Sequence, residues 1–194
     1  EELWRVEKLG PVTALAVDPA GAFVLVAADR FVHLLDLATG KTIRTHGKFP
    51  TAAASVAISP NGRWYAAGGD DGSVRVWRAG ENKAEFTLNG HDGPVRGVAV
   101  RDVGRWVLTA GADRTVRLWD TARRDQKEAA AFRKHSSPVL AAAFGAGGKE
   151  TLSADRDTTV LPWKVDQFLT AAAAEPKTPD PPKGPPDTIP YAKP

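Results

Sequence analysis

The sequence contains no cysteine and no methionine. Without cysteine, the chain can form no disulfide, no thiolate zinc site and no cysteine nucleophile. This absence leaves the cellular compartment open, because an oxidising compartment does not oblige a protein to use disulfides. Since position 1 is not a methionine either, we expect a processed product or a piece of a longer protein.

Long apolar runs and clusters of one charge are also missing. No stretch approaches the roughly 18 to 20 apolar residues that a membrane-spanning helix needs, and the first ten residues lack the layout of a secretory signal. The net charge of +3 comes from 26 basic and 23 acidic residues, with no long basic run. We therefore expect a globular chain that binds neither a membrane nor a nucleic acid.

A repeat organises the sequence. The equivalent positions, separated by 42, 42 and 44 residues, are Leu35, Trp77, Trp119 and Trp163. An aspartate lies six residues before each of them, at Asp29, Asp71, Asp113 and Asp157. Between these positions, short apolar runs alternate with Gly, Asp, Asn and Pro, which is typical of strands joined by turns.

Four short runs per period predict an all-β fold, a β-propeller of four-stranded antiparallel blades. Helical repeats would place pairs such as Gly68-Gly69 inside helices, at about 1 kcal/mol for each glycine. About four blades are predicted over residues 10–51, 52–93, 94–137 and 138–165, after an outer strand within 1–9. Residues 166–174 are predicted to form a short helix, and the proline-rich residues 175–194 a linker or tail.

The repeats resemble those of the WD-repeat (tryptophan-aspartate repeat) family over roughly residues 3 to 165, most closely between Gly90-His91 and Trp119-Asp120. The resemblance implies a structural tetrad in which aspartate, histidine, a hydroxyl and an indole N–H are joined by hydrogen bonds. Its implied members are His91, Thr109, Asp113 and Trp119 in the third repeat, and His135, Ser153, Asp157 and Trp163 in the fourth. Phe49 replaces the histidine of the second repeat, and Leu35 the tryptophan of the first.

Histidine, hydroxyl and aspartate are also the parts of a hydrolase triad. The structural interpretation is favoured because the set occurs twice at one spacing, and because neither hydroxyl lies in a Gly-x-Ser-x-Gly turn. No catalytic residue, cofactor or metal site is therefore predicted. His33 and His46 have no ligand set at metal spacing, so we expect them at surface or edge positions.

A propeller without a catalytic set predicts a non-catalytic scaffold that binds a protein or peptide through one rim. The family resemblance implies contacts at the start of the inner strands and in the turn before the tetrad aspartate. The candidate residues are Arg96, Arg156, Asp70, Thr13 and Leu140. The alternative is an accessory propeller domain of a larger enzyme, such as a bacterial signalling kinase or a redox protein.

The arrangement of the ring stays open at this stage. Four blades can belong to a seven- or eight-bladed ring, can combine with a second chain as a homodimer that completes the propeller, or can close alone. An arc that stays open leaves strand edges and apolar blade faces in water.

Overall fold

A computed structural model describes residues 2–101, 105–123, 125–146 and 148–171. Fifteen strands and one helix lie within these ranges. The strands form four separate antiparallel sheets that follow one another along the chain. The all-β class and the blade-like sheets agree with the predicted fold class.

Each of the first three sheets contains four strands in sequence order, and the fourth contains three. Blade 1 consists of β1 (Val12–Val17), β2 (Phe23–Ala28), β3 (Phe31–Asp36) and β4 (Thr42–His46). Blade 2 consists of β5 (Ala53–Ile58), β6 (Trp64–Gly69), β7 (Val74–Arg78) and β8 (Phe86–Leu88). Blade 3 consists of β9 (Val95–Arg101), β10 (Trp106–Gly111), β11 (Val116–Asp120) and β12 (Glu128–Phe132). Blade 4 consists of β13 (Val139–Phe144), β14 (Glu150–Asp155) and β15 (Val160–Lys164), and the helix α1 (Asp166–Ala171) follows it.

The core lies between the blades rather than within one of them. Because side chains alternate between the two faces of a strand, a sheet covered on both faces is apolar on both. Strand β10 shows this, since all six of its residues are buried. Leu25 of blade 1 packs in one cluster with Trp77 of blade 2, and Leu108 of blade 3 packs with Val139 of blade 4. Neighbouring blades therefore stabilise one another by burying apolar surface.

The N-terminal end of the sequence differs from the prediction, and the C-terminal end is described only in part. Residues 2–9 form no strand, although Val6 and Leu9 pack against the outward face of blade 1 and the Trp4 indole donates to the Leu37 carbonyl at 2.8 Å. A strand needs a neighbouring strand to pair with, and the described part of the chain places none beside this segment. The predicted helix is observed as far as Ala171, while residues 172–174 and the tail 175–194 lie outside the described residues.

No helix in the described ranges is both long and apolar enough to cross a membrane.

Candidate functional site

Hydrogen bonds join four side chains of blade 3. They come from the segment before β9, from β10, from the turn after β10 and from β11. His91 Nδ1 lies 3.0 Å from Asp113 Oδ1, and His91 Nε2 lies 2.7 Å from Thr109 Oγ1. The Trp119 indole N–H donates to the same Thr109 oxygen at 2.9 Å. Because a carboxylate can only accept, the proton of the imidazole lies on Nδ1 and Nε2 accepts from the threonine hydroxyl. The structure thus brings together the four residues implied for the third repeat.

Blade 4 contains the same series of hydrogen bonds, with one different residue. His135 Nε2 lies 2.6 Å from Ser153 Oγ, and the Trp163 indole donates to that oxygen at 2.7 Å. The carboxylate on His135 Nδ1, however, belongs to Asp155, at 2.8 Å. The assignment of Asp157 to this tetrad is therefore wrong. Asp157 is exposed, and its backbone N–H donates to Asp155 instead.

The cause of this exchange is the residue two positions before the predicted aspartate. In blade 3 this residue is Gly111, and a Cβ placed there would overlap both His91 Nδ1 and Asp113 Oδ1. Glycine thus leaves the space through which Asp113 reaches the histidine. In blade 4 the equivalent residue is Asp155, whose own carboxylate occupies that space.

Burial sets the protonation of the blade 3 tetrad. Burial lowers the pKa of His91, although the Asp113 carboxylate acts in the opposite direction, so the ring is neutral at pH 7. Burial also opposes ionisation of Asp113, but His91 and hydrogen bonds from Thr115 and the Asp92 backbone lower the pKa of Asp113. With a neutral imidazole between an ionised carboxylate and a hydroxyl, every polar side-chain atom of the tetrad has a hydrogen-bond partner.

The geometry also resembles the histidine, hydroxyl and carboxylate of a hydrolase, but the hydroxyls are out of reach. Thr109 is fully buried and Ser153 is only 2% exposed. Each hydroxyl oxygen also accepts a hydrogen bond from an indole N–H, which makes the oxygen a weaker nucleophile toward a carbonyl carbon. The arrangement can connect strands of one blade, and it offers no position for a substrate atom beside the oxygen.

Blade 2 shows what remains when the tetrad is incomplete. Phe49 lies where the histidine would stand, and Ala67 takes the place of the hydroxyl residue. The Trp77 indole N–H is consequently buried without a hydrogen-bond partner among the described residues. The Arg75 guanidinium lies 4.4 Å above the Phe49 ring, so a cation–π contact replaces part of the polar network.

The substitution Ala67→Ser is expected to raise the free energy of unfolding by about 1 kcal/mol. The new hydroxyl would accept the Trp77 N–H as Ser153 accepts that of Trp163. Urea unfolding measures the change. In the control Ala66→Ser the hydroxyl enters the apolar cluster on the other face of β6, and stability should fall. Equal losses in both variants would show that Trp77 needs no acceptor.

His46 lies on the edge strand β4, as predicted for an edge position, but it is buried. Neither ring nitrogen has a hydrogen-bond partner among the described residues. Burial, supported by the charge of Arg44, lowers the pKa of His46 to about 4. Equivalent positions in the next two blades hold Leu88 and Phe132, which are apolar.

Stability is expected to fall as the pH drops from about 6.5 to 4, because unfolded His46 takes up a proton in this window and folded His46 does not. The loss from this one residue is on the order of 3 kcal/mol below pH 4. The variant His46→Leu should lack this part of the acid sensitivity. Urea unfolding at pH 7 and pH 4 compares the two proteins, and an equal loss in both would refute the assignment.

The five residues predicted to bind a partner lie at one rim, which we call the upper rim: the end of the sheets where the inner strands β1, β5, β9 and β13 begin. Each inner strand starts with a β-bulge, which leaves one residue without a cross-strand partner. The bulge residues are Thr13, Ala54, Arg96 and Leu140. Asp70 and Arg156 lie beside them, in the turns between the second and third strands.

These residues differ in how freely they can contact a partner. Thr13 donates to the Ala53 carbonyl of the next blade at 2.6 Å, so its hydroxyl links blades 1 and 2. Arg96 pairs with Asp70 across blades 2 and 3 at 3.1 Å, and both remain partly exposed. Leu140 and Arg156 are exposed.

The described residues contain no group of three His, Asp or Glu side chains that could hold a metal ion.

Comparison with known proteins identifies the repeat. The family model described as "WD domain, G-beta repeat" matches residues 39–78 and 82–120. The chain is a WD-repeat protein. It is 36% identical over 90 residues to a WD repeat-containing protein of Synechocystis, and the aligned residues cover 46% of this chain and 26% of that protein. It is 39% identical over 157 residues to human transducin beta-like protein 3, and the aligned residues cover 79% of this chain and 19% of that protein.

Solved structures agree on the fold of this WD-repeat chain. It is similar to "Structure of U3-55K" and to "Crystal structure of RRP9 WD40 repeats", each with a TM-score of 0.74 and 24% identity over 84% of this chain. The chain spans 51% of those two chains. It spans only 19% to 26% of the curated relatives named above, so it corresponds to a part of their length.

One tetrad residue of this WD-repeat chain, Asp155, was not predicted from the sequence. The spacing of six residues before the tryptophan selects Asp157, and nothing in that spacing points to Asp155. The signal was present in a different comparison: Ser153 is followed by Ala-Asp, whereas Thr109 is followed by Ala-Gly. An acidic side chain in the glycine position is the feature that would have identified Asp155.

Proposed function

We propose that this WD-repeat chain is a non-catalytic scaffold that binds a protein or peptide at the upper rim. The observation that carries the proposal is the β-bulge at the start of each inner strand, which leaves Arg96 and Leu140 outside the sheet pairing. Hydroxyl groups with catalytic potential are buried, whereas the rim presents exposed side chains of different chemistry. Membership in the WD-repeat family supports an interaction scaffold in general and does not identify a partner.

The composition of the upper rim favours a polar peptide with an acidic group beside an apolar residue. Arg156 is exposed, and a guanidinium can form paired hydrogen bonds with the carboxylate of a ligand. Leu140 is an exposed apolar side chain at the bulge of the same blade. The ion pair of Arg96 with Asp70 keeps the neighbouring part of the rim electrically balanced.

The proposal can be tested with peptides selected from a random display library on the immobilised chain. For a peptide that binds at the upper rim, Leu140→Ala and Arg156→Ala should each weaken the affinity by about tenfold or more. The matched control is Arg63→Ala, which removes an exposed arginine from the turn between β5 and β6 at the opposite rim. Peptides that lose affinity with Arg63→Ala and keep it with both upper-rim variants would contradict the proposal.

The non-catalytic part needs a separate assay. Purified chain and the variant Thr109→Ala should show the same background rate with a generic ester substrate. A rate above that of buffer that disappears in the variant would assign catalysis to the tetrad.

A further inference from the structure

Asparagine occurs three times in the sequence, and two of the three residues precede a glycine. These pairs are Asn61-Gly62, in the turn between β5 and β6, and Asn89-Gly90, between β8 and β9, whereas Asn82 precedes a lysine. An asparagine before glycine is open to attack on its side-chain amide by the backbone nitrogen of the next residue, because glycine has no Cβ to block the approach. The two pairs are chemically alike, so their surroundings in the fold decide how readily each one reacts.

Hydrogen bonds occupy the reacting groups of the first pair. Asn61 Oδ1 accepts from the Ser59 hydroxyl at 2.6 Å and from the Arg63 backbone N–H at 3.1 Å. The Gly62 N–H, whose nitrogen would have to attack, donates to the Ser59 carbonyl at 2.9 Å. The Asp18 carboxylate also lies close to this glycine, because a Cβ placed on Gly62 would come within 2.8 Å of Asp18 Oδ1. Its charge disfavours the negative charge that the attacking nitrogen must develop.

The second pair lacks these restraints. Asn89 and Gly90 are both exposed, and neither the Asn89 side chain nor the Gly90 N–H has a hydrogen-bond partner among the described residues. The atom nearest to a Cβ placed on Gly90 belongs to the Arg117 guanidinium, at 2.8 Å, where the first pair has a carboxylate. The third asparagine is restrained as well, since Asn82 Oδ1 accepts from the Arg44 guanidinium at 2.7 Å. Asn89 is thus the most reactive of the three.

We propose that Asn89 is a site of spontaneous deamidation, a modification for which solvent water is the only reactant. The Gly90 nitrogen gives its proton to solvent and forms a bond to Asn89 Cγ, while the bond from Cγ to the side-chain nitrogen breaks and this nitrogen leaves with a proton as ammonia. The resulting five-membered imide takes up one water molecule. Hydrolysis at Cγ gives aspartate, and hydrolysis at the main-chain carbonyl carbon gives isoaspartate, in which the main chain continues through Cγ.

The modification changes the main chain next to the tetrad of blade 3. Gly90 packs against this tetrad, since a Cβ placed on Gly90 would lie 3.1 Å from Trp119 Cη2, and His91 follows directly in the sequence. Isoaspartate lengthens the main chain before Gly90 by one carbon atom, which displaces Gly90 and His91 from the side chains they contact. Aspartate adds one negative charge and keeps the length of the main chain. The isoaspartate form is therefore the less stable product.

Incubation of the purified full chain at neutral pH and physiological temperature tests the proposal. Peptide mapping by mass spectrometry follows, at each asparagine, the gain of about 1 Da that accompanies replacement of the amide nitrogen by oxygen. In the folded chain, Asn89 should convert about tenfold or more faster than Asn61 and Asn82, because these two must first give up hydrogen bonds.

The same chain unfolded in guanidinium chloride is the matched control. Unfolding removes the hydrogen bonds of Asn61 and Gly62, so Asn61 should then convert at about the rate of Asn89, which also precedes a glycine. A folded chain in which Asn61 converts as fast as Asn89 would overturn the proposal. So would a chain in which folding slows the conversion of Asn89 as strongly as that of Asn61.

The variant Asn89→Gln tests the effect on blade 3. Its longer side chain would have to form a six-membered imide, which forms far more slowly, so position 89 should gain no mass. Before incubation the variant and the wild type should melt alike, and after it the wild type should melt roughly 2 to 4 °C lower. Asn89→Asp, which adds the charge without lengthening the main chain, should melt close to the fresh wild type. Equal melting of the incubated wild type and Asn89→Gln, with Asn89 converted, would overturn the effect on blade 3.

Discussion

Replacing Asp113 with alanine is expected to lower the free energy of unfolding by about 3 kcal/mol and to remove no hydrolytic activity. Asp113 accepts hydrogen bonds from His91 Nδ1, from the backbone N–H groups of Asp92 and Thr115, and from the Thr115 hydroxyl. Alanine leaves these donors without their acceptor, and a buried donor without a partner costs about 1 to 3 kcal/mol. For a chain of this size the melting temperature should fall by roughly 6 to 12 °C.

The matched control is Asp157→Ala in blade 4. Sequence spacing assigns Asp113 and Asp157 the same role, whereas the structure gives that role in blade 4 to Asp155. Asp157→Ala should therefore change the stability by no more than about 0.5 kcal/mol, as is usual for an exposed residue. Urea unfolding of both variants decides the matter, and equal losses would restore Asp157 to the tetrad.

The second large effect is expected at Asp155, where glycine should be tolerated far better than alanine. Asp155→Ala removes the carboxylate from His135 Nδ1 and from the backbone N–H groups of Asp157 and Thr159. Asp155→Gly removes the same carboxylate but creates the sequence of blade 3, in which glycine leaves space for the aspartate two residues later. Asp157 can then turn inward and accept from His135.

Thermal unfolding followed by circular dichroism compares these variants. The expected order of melting temperature is wild type, then Asp155→Gly, then Asp155→Ala, with a clear gap between the last two. The double variant Asp155→Gly/Asp157→Ala is the control, because it should lose the rescue and melt no higher than Asp155→Ala. A double variant as stable as Asp155→Gly would show that Asp157 does not replace Asp155.

The spacing of residues in the sequence was sufficient to predict the strand-rich fold and the equivalent positions of the tryptophans. Trp77, Trp119 and Trp163 recur at nearly constant separation because each occupies one place in a repeated sheet, and the structure buries all three. Spacing alone could not select the carboxylate of blade 4, because Asp155 at the end of β14 and Asp157 in the following turn lie only two residues apart. The choice depends on which side chain fills the space beside the histidine, which is a property of three dimensions.

The conformation of residues 2–9, before blade 1, could not be predicted from the sequence either. Apolar residues such as Val6 and Leu9 suit a strand, and they do pack on blade 1, but strand pairing needs a partner that the pattern of one segment does not reveal. The turn of blade 1 gave a related error of alignment. The Asp29 backbone N–H donates to the Pro11 carbonyl, as that of Asp70 donates to Ala52, so Asp29 corresponds to Asp70 and not to the tetrad position.

Upper-rim candidates illustrate a different limit. The family resemblance implied Thr13, Arg96 and Leu140 at the starts of inner strands, and the structure adds that all three are bulge residues. The sequence could not show that Thr13 and Arg96 are engaged with neighbouring blades, because those contacts join residues about 26 to 40 positions apart. Leu140 and Arg156 are exposed at the upper rim, whereas the exposed Arg96 is already in an ion pair with Asp70.

A series of hydrogen bonds ending at an indole connects the strands of blade 3 and those of blade 4. Hydrogen exchange of the tryptophan indole N–H signals, followed by NMR in heavy water and assigned with single Trp→Phe variants, can test this connection. We predict that Trp119 and Trp163 exchange last, and that Trp77 exchanges sooner although it is at least as buried, because it lacks a hydroxyl partner among the described residues. Exchange of Trp119 and Trp163 as fast as that of the half-buried Trp64 would contradict the account.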